Sequence, residues 1–203
     1  MLRRTFIALA CAASFAAPTT LLAQTWPSRP VTLVVPNAAG GGTDTVARLM
    51  ADQLSKQFGS SFVVENRTGA GMVVGTVAVA KAPPDGHMLL VGLNGNMTVN
   101  PSLYAKLPYD PAADFVPVAM LATYPFMLVV NNDLPVTSVK ELIAYLKSKP
   151  GQVDYASAGN GTGQHLAAEL FKMMTGTDMG HIAYRGAQPA YQDVISGRVP
   201  VFF

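Results

Sequence analysis

Two stretches of this chain share one three-part pattern, and that repeat limits the folds open to it. In Val31–Arg48, VTLVVPNAAGGGTDTVAR, the residues Val31, Leu33, Val34 and Val35 form a β-branched run of strand length. Pro36 ends the run, because proline cannot donate to a sheet ladder. Asn37–Gly42 is a small-residue turn closing on three glycines, and Thr43 or Asp44 is placed to cap a helix. Val46, Leu49, Met50, Leu54 and Phe58 follow the three-to-four spacing of a one-sided helix, with Gly59 as its stop.

The pattern returns in the second half. Val153–Ala156 reads as a short strand and Ser157–Gly163 as a glycine-rich turn. A helix follows with Leu166, Ala167, Leu170, Met173 and Met174 on one face, ending at Gly176. A helix start leaves about four backbone N–H groups unpaired and carries partial positive charge, so such turns suit anions. The same glycines equally well only make a tight turn. Taken as a pair, two helix starts facing across a cleft can hold both ends of a dianion. Ala39, Gly40, Gly41, Gly42, Thr43 and Asp44 on the first unit, and Ser157, Gly159, Gly161, Thr162 and Gly163 on the second, are therefore candidate binding residues.

Between the units, Phe62–Glu65 reads as a strand and Val73–Lys81 as a helix. Gly69–Gly75 imitates a dinucleotide-binding fingerprint with one residue too many, which favours a loop and a close helix contact. After the apolar strand Met88–Gly92 comes LNGNMTVN, Leu93–Asn100. There Asn94, Asn96 and Thr98 stand where a parallel sheet presents ligands, or else form a polar surface turn. Val118–Leu121 and Phe126–Asn131 are two apolar runs around a crossing between lobes. Ser138 and Glu141 make a capping box for a helix at Ser138–Lys147, with Val139, Leu142, Ile143 and Leu146 as its buried stripe. In the last part, His165 lies in the first turn of its helix and either meets a ligand or packs. Arg185, after the strand His181–Tyr184, either pairs with a carboxylate or is a solvated cation. Asp193 rides on a helix at Gln188–Ser196 that has Pro189 near its start, and Val199–Phe203 is the final strand.

The 203 residues carry a net charge of only +2 and no Lys/Arg run interleaved with aromatics, which argues against nucleic acid as a partner. Residues 1–23 read as an export signal, with Arg3 and Arg4 ahead of an apolar run too short to span a bilayer. Arg3-Arg4-Thr-Phe-Ile loosely fits a twin-arginine signal, so both the Sec and twin-arginine routes stay open. The single cysteine, Cys11, lies inside that signal. A mature product starting near Gln24 would have no disulfide, thiol catalyst or thiolate metal site. Three scattered histidines with no His-x-x-x-His pair make a poor metal set, and no cofactor is expected.

The order and spacing of several short motifs resemble the Bug family, the extracytoplasmic receptors of tripartite tricarboxylate transporters. They are Trp26-Pro-Ser-Arg-Pro30, Gly40-Gly-Gly-Thr-Asp44 with Ala47-Arg48, Val64-Glu-Asn-Arg67, Pro84-Asp-Gly86, Asn100-Pro101 and Asp114-Phe115. Further along come Ser157-Ala-Gly159-Asn-Gly161-Thr162 with His165-Leu-Ala167, and Tyr184-Arg-Gly186 with Asp193. The resemblance implies a two-lobed α/β periplasmic-binding-protein architecture, type II-like, that closes as a monomer on a small organic anion. A di- or tricarboxylate, an amino acid or an aromatic acid would fit that description, and transporter or sensor subunits would be the partners. It places lobe one at residues 24–122 and lobe two at 123–203, with the turns Ala39–Asp44 and Ser157–His165 and the loop Asn94–Thr98 lining the cleft. Family members often carry an aromatic and a proline before the first glycine. Here Asn37, Ala38 and Ala39 stand there, so the resemblance leaves the ligand open. The family chain also returns to its first lobe, so an incomplete second lobe, weakened binding and even loss of function are expectations for this shorter chain. A different class, an exported hydrolase using Ser157, His165 or His181 and Asp178, lacks the Gly-x-Ser-x-Gly elbow.

Overall fold

The computed structural model describes residues 25–203; the expected export signal, residues 1–23, and Cys11 within it lie outside the described residues. The first unit folds as read. Strand β1 (Val31–Val35) runs into helix α1 (Gly42–Phe58), then β2 (Phe62–Asn66), helix α2 (Val73–Ala80) and β3 (Met88–Leu90). The three strands are parallel in the order β2-β1-β3, with Leu33 opposite Val64 and Leu89. A π-type helical turn, Gly95–Val99, runs into the short helix α3 (Asn100–Leu103), so the polar stretch after β3 is helical rather than extended.

The second sheet forms from β4 (Val129–Val130), β5 (Asp154–Ser157), β6 (Gly180–Ala183) and β7 (Val201–Phe202), with helices α4 (Val139–Ser148), α5 (Gly163–Thr175) and α6 (Ala187–Ile195) between them. Its order is β4-β7-β5-β6; β4 is antiparallel to β7 and the other pairs are parallel. Alternation along the strands splits the core in two. Tyr155, Val201 and Phe203 pack with Leu142 and Leu146 of α4 and Ala168 of α5. Ala156 and Phe202 face the other way, onto Ala190 and Val194 of α6.

Two expectations about buried faces are corrected. On α1 the core side is Ala47 and Ala51, with Leu54 partly covered, whereas Leu49 and Phe58 are exposed. On α5 it is Ala168, with Ala167 and Phe171 beside it, whereas Leu166, Leu170, Met173 and Met174 are exposed. Small side chains let a helix lie close on a sheet, and that close approach decides the face here over hydrophobicity alone. Of the α4 stripe, Leu142 and Leu146 are buried but Val139 is exposed. The run Val118–Leu121 forms no strand and is exposed, and the second apolar run pairs only at Val129–Val130. Gly75 makes the expected close contact: a Cβ there would meet the Arg67 carbonyl at 2.7 Å and Pro36 at 3.0 Å, so α2 lies against the end of β1.

Candidate functional site

Parallel strands present their loops at the carboxyl edge of a sheet, and most segments lining one cleft leave such an edge, the exception being the segment of Tyr124 and Phe126 ahead of β4. Asn37–Thr43 follows β1, Leu93 and Asn94 follow β3, Ala158–Gln164 follow β5, and Ala187 follows β6. The cleft holds about 190 Å³. Four helices begin at it: α1, α2, α5 and α6. Their N-cap residues are Gly41, Met72, Thr162 and Gly186, and none makes a side-chain cap. At α2 the N–H groups of Val73 and Val74 already bond to the Ala70 and Gly69 carbonyls. Helix α4 begins away from the cleft and is capped: the Glu141 N–H donates to the Ser138 hydroxyl at 3.2 Å. Glu141 in turn reaches Thr137, accepting from its N–H at 2.6 Å and its hydroxyl at 2.8 Å. This is a capping box shifted one residue outward from the Ser138–Glu141 reading. The open N–H groups are thus concentrated on the cleft, where a ligand oxygen can take the place of a cap.

The caps of α1 differ from expectation. Gly41, not Thr43 or Asp44, is the N-cap. Asp44 sits in the first turn, buried, and folds back to clasp the turn. Its Oδ2 accepts from the Gly40 N–H at 2.8 Å and from Arg48 Nε at 2.9 Å, and its Oδ1 accepts from Asn66 Nδ2 at 2.9 Å. Burial pushes this carboxyl up. The bonds from Arg48, Gly40 and Asn66, with the Arg48 charge, outweigh it and hold the group below its ordinary value.

The second turn is held by neutral groups. The Ser157 hydroxyl, fully buried, accepts from the Gly159 N–H at 3.1 Å and lies 2.6 Å from His181 Nε2. Thr162 donates its hydroxyl to the Gly159 carbonyl at 2.7 Å, and the Gly161 N–H donates to His165 Nδ1 at 3.2 Å. Tyr155, His181 and His165 stack in sequence, with ring centroids 4.8 and 4.3 Å apart. Burial lowers the basicity of both imidazoles, and with the nearby His165 it holds His181 down to about 4. A serine–histidine contact is present, but Ser157 has no exposed surface for a substrate to reach. Asp178 is remote from the pair, lying 3.8 Å from Lys172.

Of the residues singled out from the sequence, Gly41, Gly42, Thr43, Asn94, Thr162 and Gly163 line the cleft together. Asp44, Ser157, Gly159, Gly161 and His165 stand behind that lining and fix its shape, and Ala39 and Gly40 are exposed beside it. Asn96 is fully buried, taking the Leu93 N–H at 2.8 Å and donating to Thr76 at 2.7 Å, so its amide is consumed in holding the loop. Thr98 donates to the Asn94 carbonyl at 2.7 Å. Arg185 is exposed and outside the lining. Asp193 is engaged by Tyr184 at 2.5 Å and Arg198 at 2.9 Å. The sequence reading did not single out Tyr124, Phe126 and Tyr191, which give the lining its aromatic surface. Phe126 lies on the first residue of α5, where a Cβ on Gly163 would overlap its ring. Aromatics in a crossing segment between two glycine turns were the available signal.

Two sheet-centred halves with a cleft at their parallel carboxyl edges define the class of two-lobed α/β binding-protein folds, and uncapped helix starts on both sides suit a small anion. Within that class, a model of the tripartite tricarboxylate transporter family receptor matches residues 46–203, and the chain belongs to that family. BugT of Bordetella pertussis is 41% identical over 188 residues, covering 92% of this chain and 57% of that protein. Among solved structures, Rpa4515 of R. palustris with adipate superposes with a TM-score of 0.85 at 43% identity, covering 87% of this chain and 59% of that one. MatC of Rhodopseudomonas palustris with bound malate gives a TM-score of 0.82 at 36% identity, covering 87% and 60%. The chain therefore spans somewhat over half the length of the curated relatives it matches. The mixed α/β architecture is that of the periplasmic binding proteins, and the family is one of receptors rather than enzymes.

Proposed function

We propose that the protein is a periplasmic solute-binding receptor that captures a small organic carboxylate in this cleft and delivers it to a tripartite tricarboxylate-type transporter or to a sensor. In this reading residues 1–23 are the export signal, and residues 24–122 and 123–203 belong to two lobes of a monomer. The observation that carries it is the set of uncapped helix starts at Gly41, Thr162 and Gly186, all on one cleft. Backbone N–H groups of α1 and α5 would take the carboxylate oxygens, with Thr43 and Asn94 as side-chain donors. The adipate and malate in the two solved relatives support a carboxylate as the ligand class.

The test is a thermal-shift screen of the protein against mono-, di- and tricarboxylates and neutral amides. A ligand at about one hundred times its Kd adds roughly 2.7 kcal/mol, a rise of about 5–10 °C for a chain of this size. A sharp melt that no carboxylate moves would count against the reading.

A further inference from the structure

The receptor reading leaves open the body of the ligand beyond its carboxylate, and the lining of the cleft addresses it. Among the described residues, the lining holds no lysine, arginine or histidine. Positive potential therefore comes from the helix starts alone, which suits a carboxylate end but gives no cation to the rest of the ligand. The rest of the lining sets the polar side chains of Asn37, Asn94 and Gln164 beside an aromatic and apolar group, Tyr124, Phe126 and Tyr191 with Met72 and Leu93.

Neighbouring groups fix two of the three rings. Phe126 is seated on the Cβ-less face of Gly163 and meets Tyr124 edge-on, ring centroids 6.2 Å apart at 75°. Tyr191, on α6, packs edge-on against the buried Phe202 at 5.1 Å and 64°. Despite those contacts all three rings keep surface free, with exposures of 49% for Tyr124, 43% for Phe126 and 37% for Tyr191. Partly covered rings that line a cavity offer faces and edges to a guest, and offset or edge-on contacts between rings add attraction beyond area burial. Asn37 and Ala38, which line the cleft beside the start of α6, bring no aromatic side chain to it, so the rings come from Tyr124, Phe126 and Tyr191.

Resting on the receptor reading, the geometry points to an aromatic carboxylate as the preferred ligand: its carboxylate on the helix starts, its ring against Phe126, Tyr124 and Tyr191. These rings then select for flat, polarisable bodies over saturated ones of equal charge and size.

The experiment is calorimetric titration of the protein with benzoate, cyclohexanecarboxylate and adipate. Benzoate and cyclohexanecarboxylate share charge and carbon count and differ in the ring, so benzoate is expected to bind about fivefold tighter. Tyr191→Leu and Tyr124→Leu should each erase most of that ratio, and Tyr191→Phe should restore it. The Tyr124 substitution lies on an exposed segment and keeps the test alive if Tyr191→Leu melts early. Equal affinity for benzoate and cyclohexanecarboxylate, or tighter binding of adipate than benzoate, overturns the aromatic preference and leaves the receptor reading standing. Binding of none of the three overturns this inference, while the wider carboxylate screen decides the receptor reading.

Discussion

The two glycine turns occupy equivalent places at the ends of β1 and β5, yet they are held by opposite chemistry. Around Gly40 the clasp is charged, with the Asp44 carboxylate accepting from a backbone N–H, a guanidinium and an amide. Around Gly159 the clasp is neutral, made of two hydroxyls, a backbone carbonyl and imidazoles kept unprotonated by burial. A buried carboxylate needs several donors to repay its lost hydration, and the first turn supplies three. The second turn avoids that cost and takes on sensitivity to protonation instead. The shape that presents open N–H groups to a ligand thus does not prescribe what supports it.

Placing a charge on the open side of the first turn should have the largest effect. In Gly41→Asp the new carboxylate caps α1 from within and repels a bound anion; a Cβ at Gly41 meets nothing nearer than the Ala38 carbonyl at 3.8 Å. Carboxylate affinity measured by calorimetry should fall on the order of a hundredfold, while the Tm holds or rises slightly. Removing the charged clasp comes next. Asp44→Ala leaves the Gly40 N–H, Arg48 and Asn66 without their acceptor, and should cost about 2–3 kcal/mol, a Tm fall of roughly 5–10 °C. A fall below about 2 °C would mean that Arg48 and Asn66 hold the turn without it.

Acid then separates the two turns. Native His181 stays neutral down to about 4, whereas the unfolded chain takes up the proton near 6.5. Protonation therefore favours unfolding, and stability should decline as pH falls from about 6.5 towards 4 and level off below. The first turn gives way in a lower window: Asp44 is held below its ordinary 3.8, so its contribution is lost only as pH falls under that value. Melting curves across pH should show the upper slope flattened in His181→Gln and the lower one unchanged. The smallest effect is expected at the capped helix start: Ser138→Ala should cost about 1 kcal/mol, some 2–4 °C, with carboxylate binding unaltered.

The sequence made both strand–turn–helix units legible because glycine and proline act locally: Pro36 ends β1, and Gly59 and Gly176 take the left-handed conformation that closes α1 and α5. Ser138 was readable as a cap for the same reason. The buried faces of α1 and α5 were not, because hydrophobicity ranks Leu49 and Leu170 above Ala47 and Ala168, and only the distance between helix and sheet reverses that order. Asn96 and Asp193 looked like donors or acceptors for a ligand. Their partners, Thr76 in one case and Tyr184 and Arg198 in the other, are brought in by the tertiary fold. The aromatic lining of Tyr124, Phe126 and Tyr191 draws on residues up to 67 positions apart in the chain, a proximity no local pattern encodes.

One contact crosses the cleft without touching a ligand's place in it. Gln188, in the first turn of α6, donates to the Gly40 carbonyl at 2.6 Å, tying residues 148 positions apart. Its amide is exposed and spans from the α6 start to the charged turn, so moving the two halves apart breaks it. In a receptor of the proposed kind such a bond would act on residence time, slowing departure of a captured solute while leaving the encounter rate to diffusion into the open form. The lifetime of the loaded state would then be set in part by a residue that never meets the cargo.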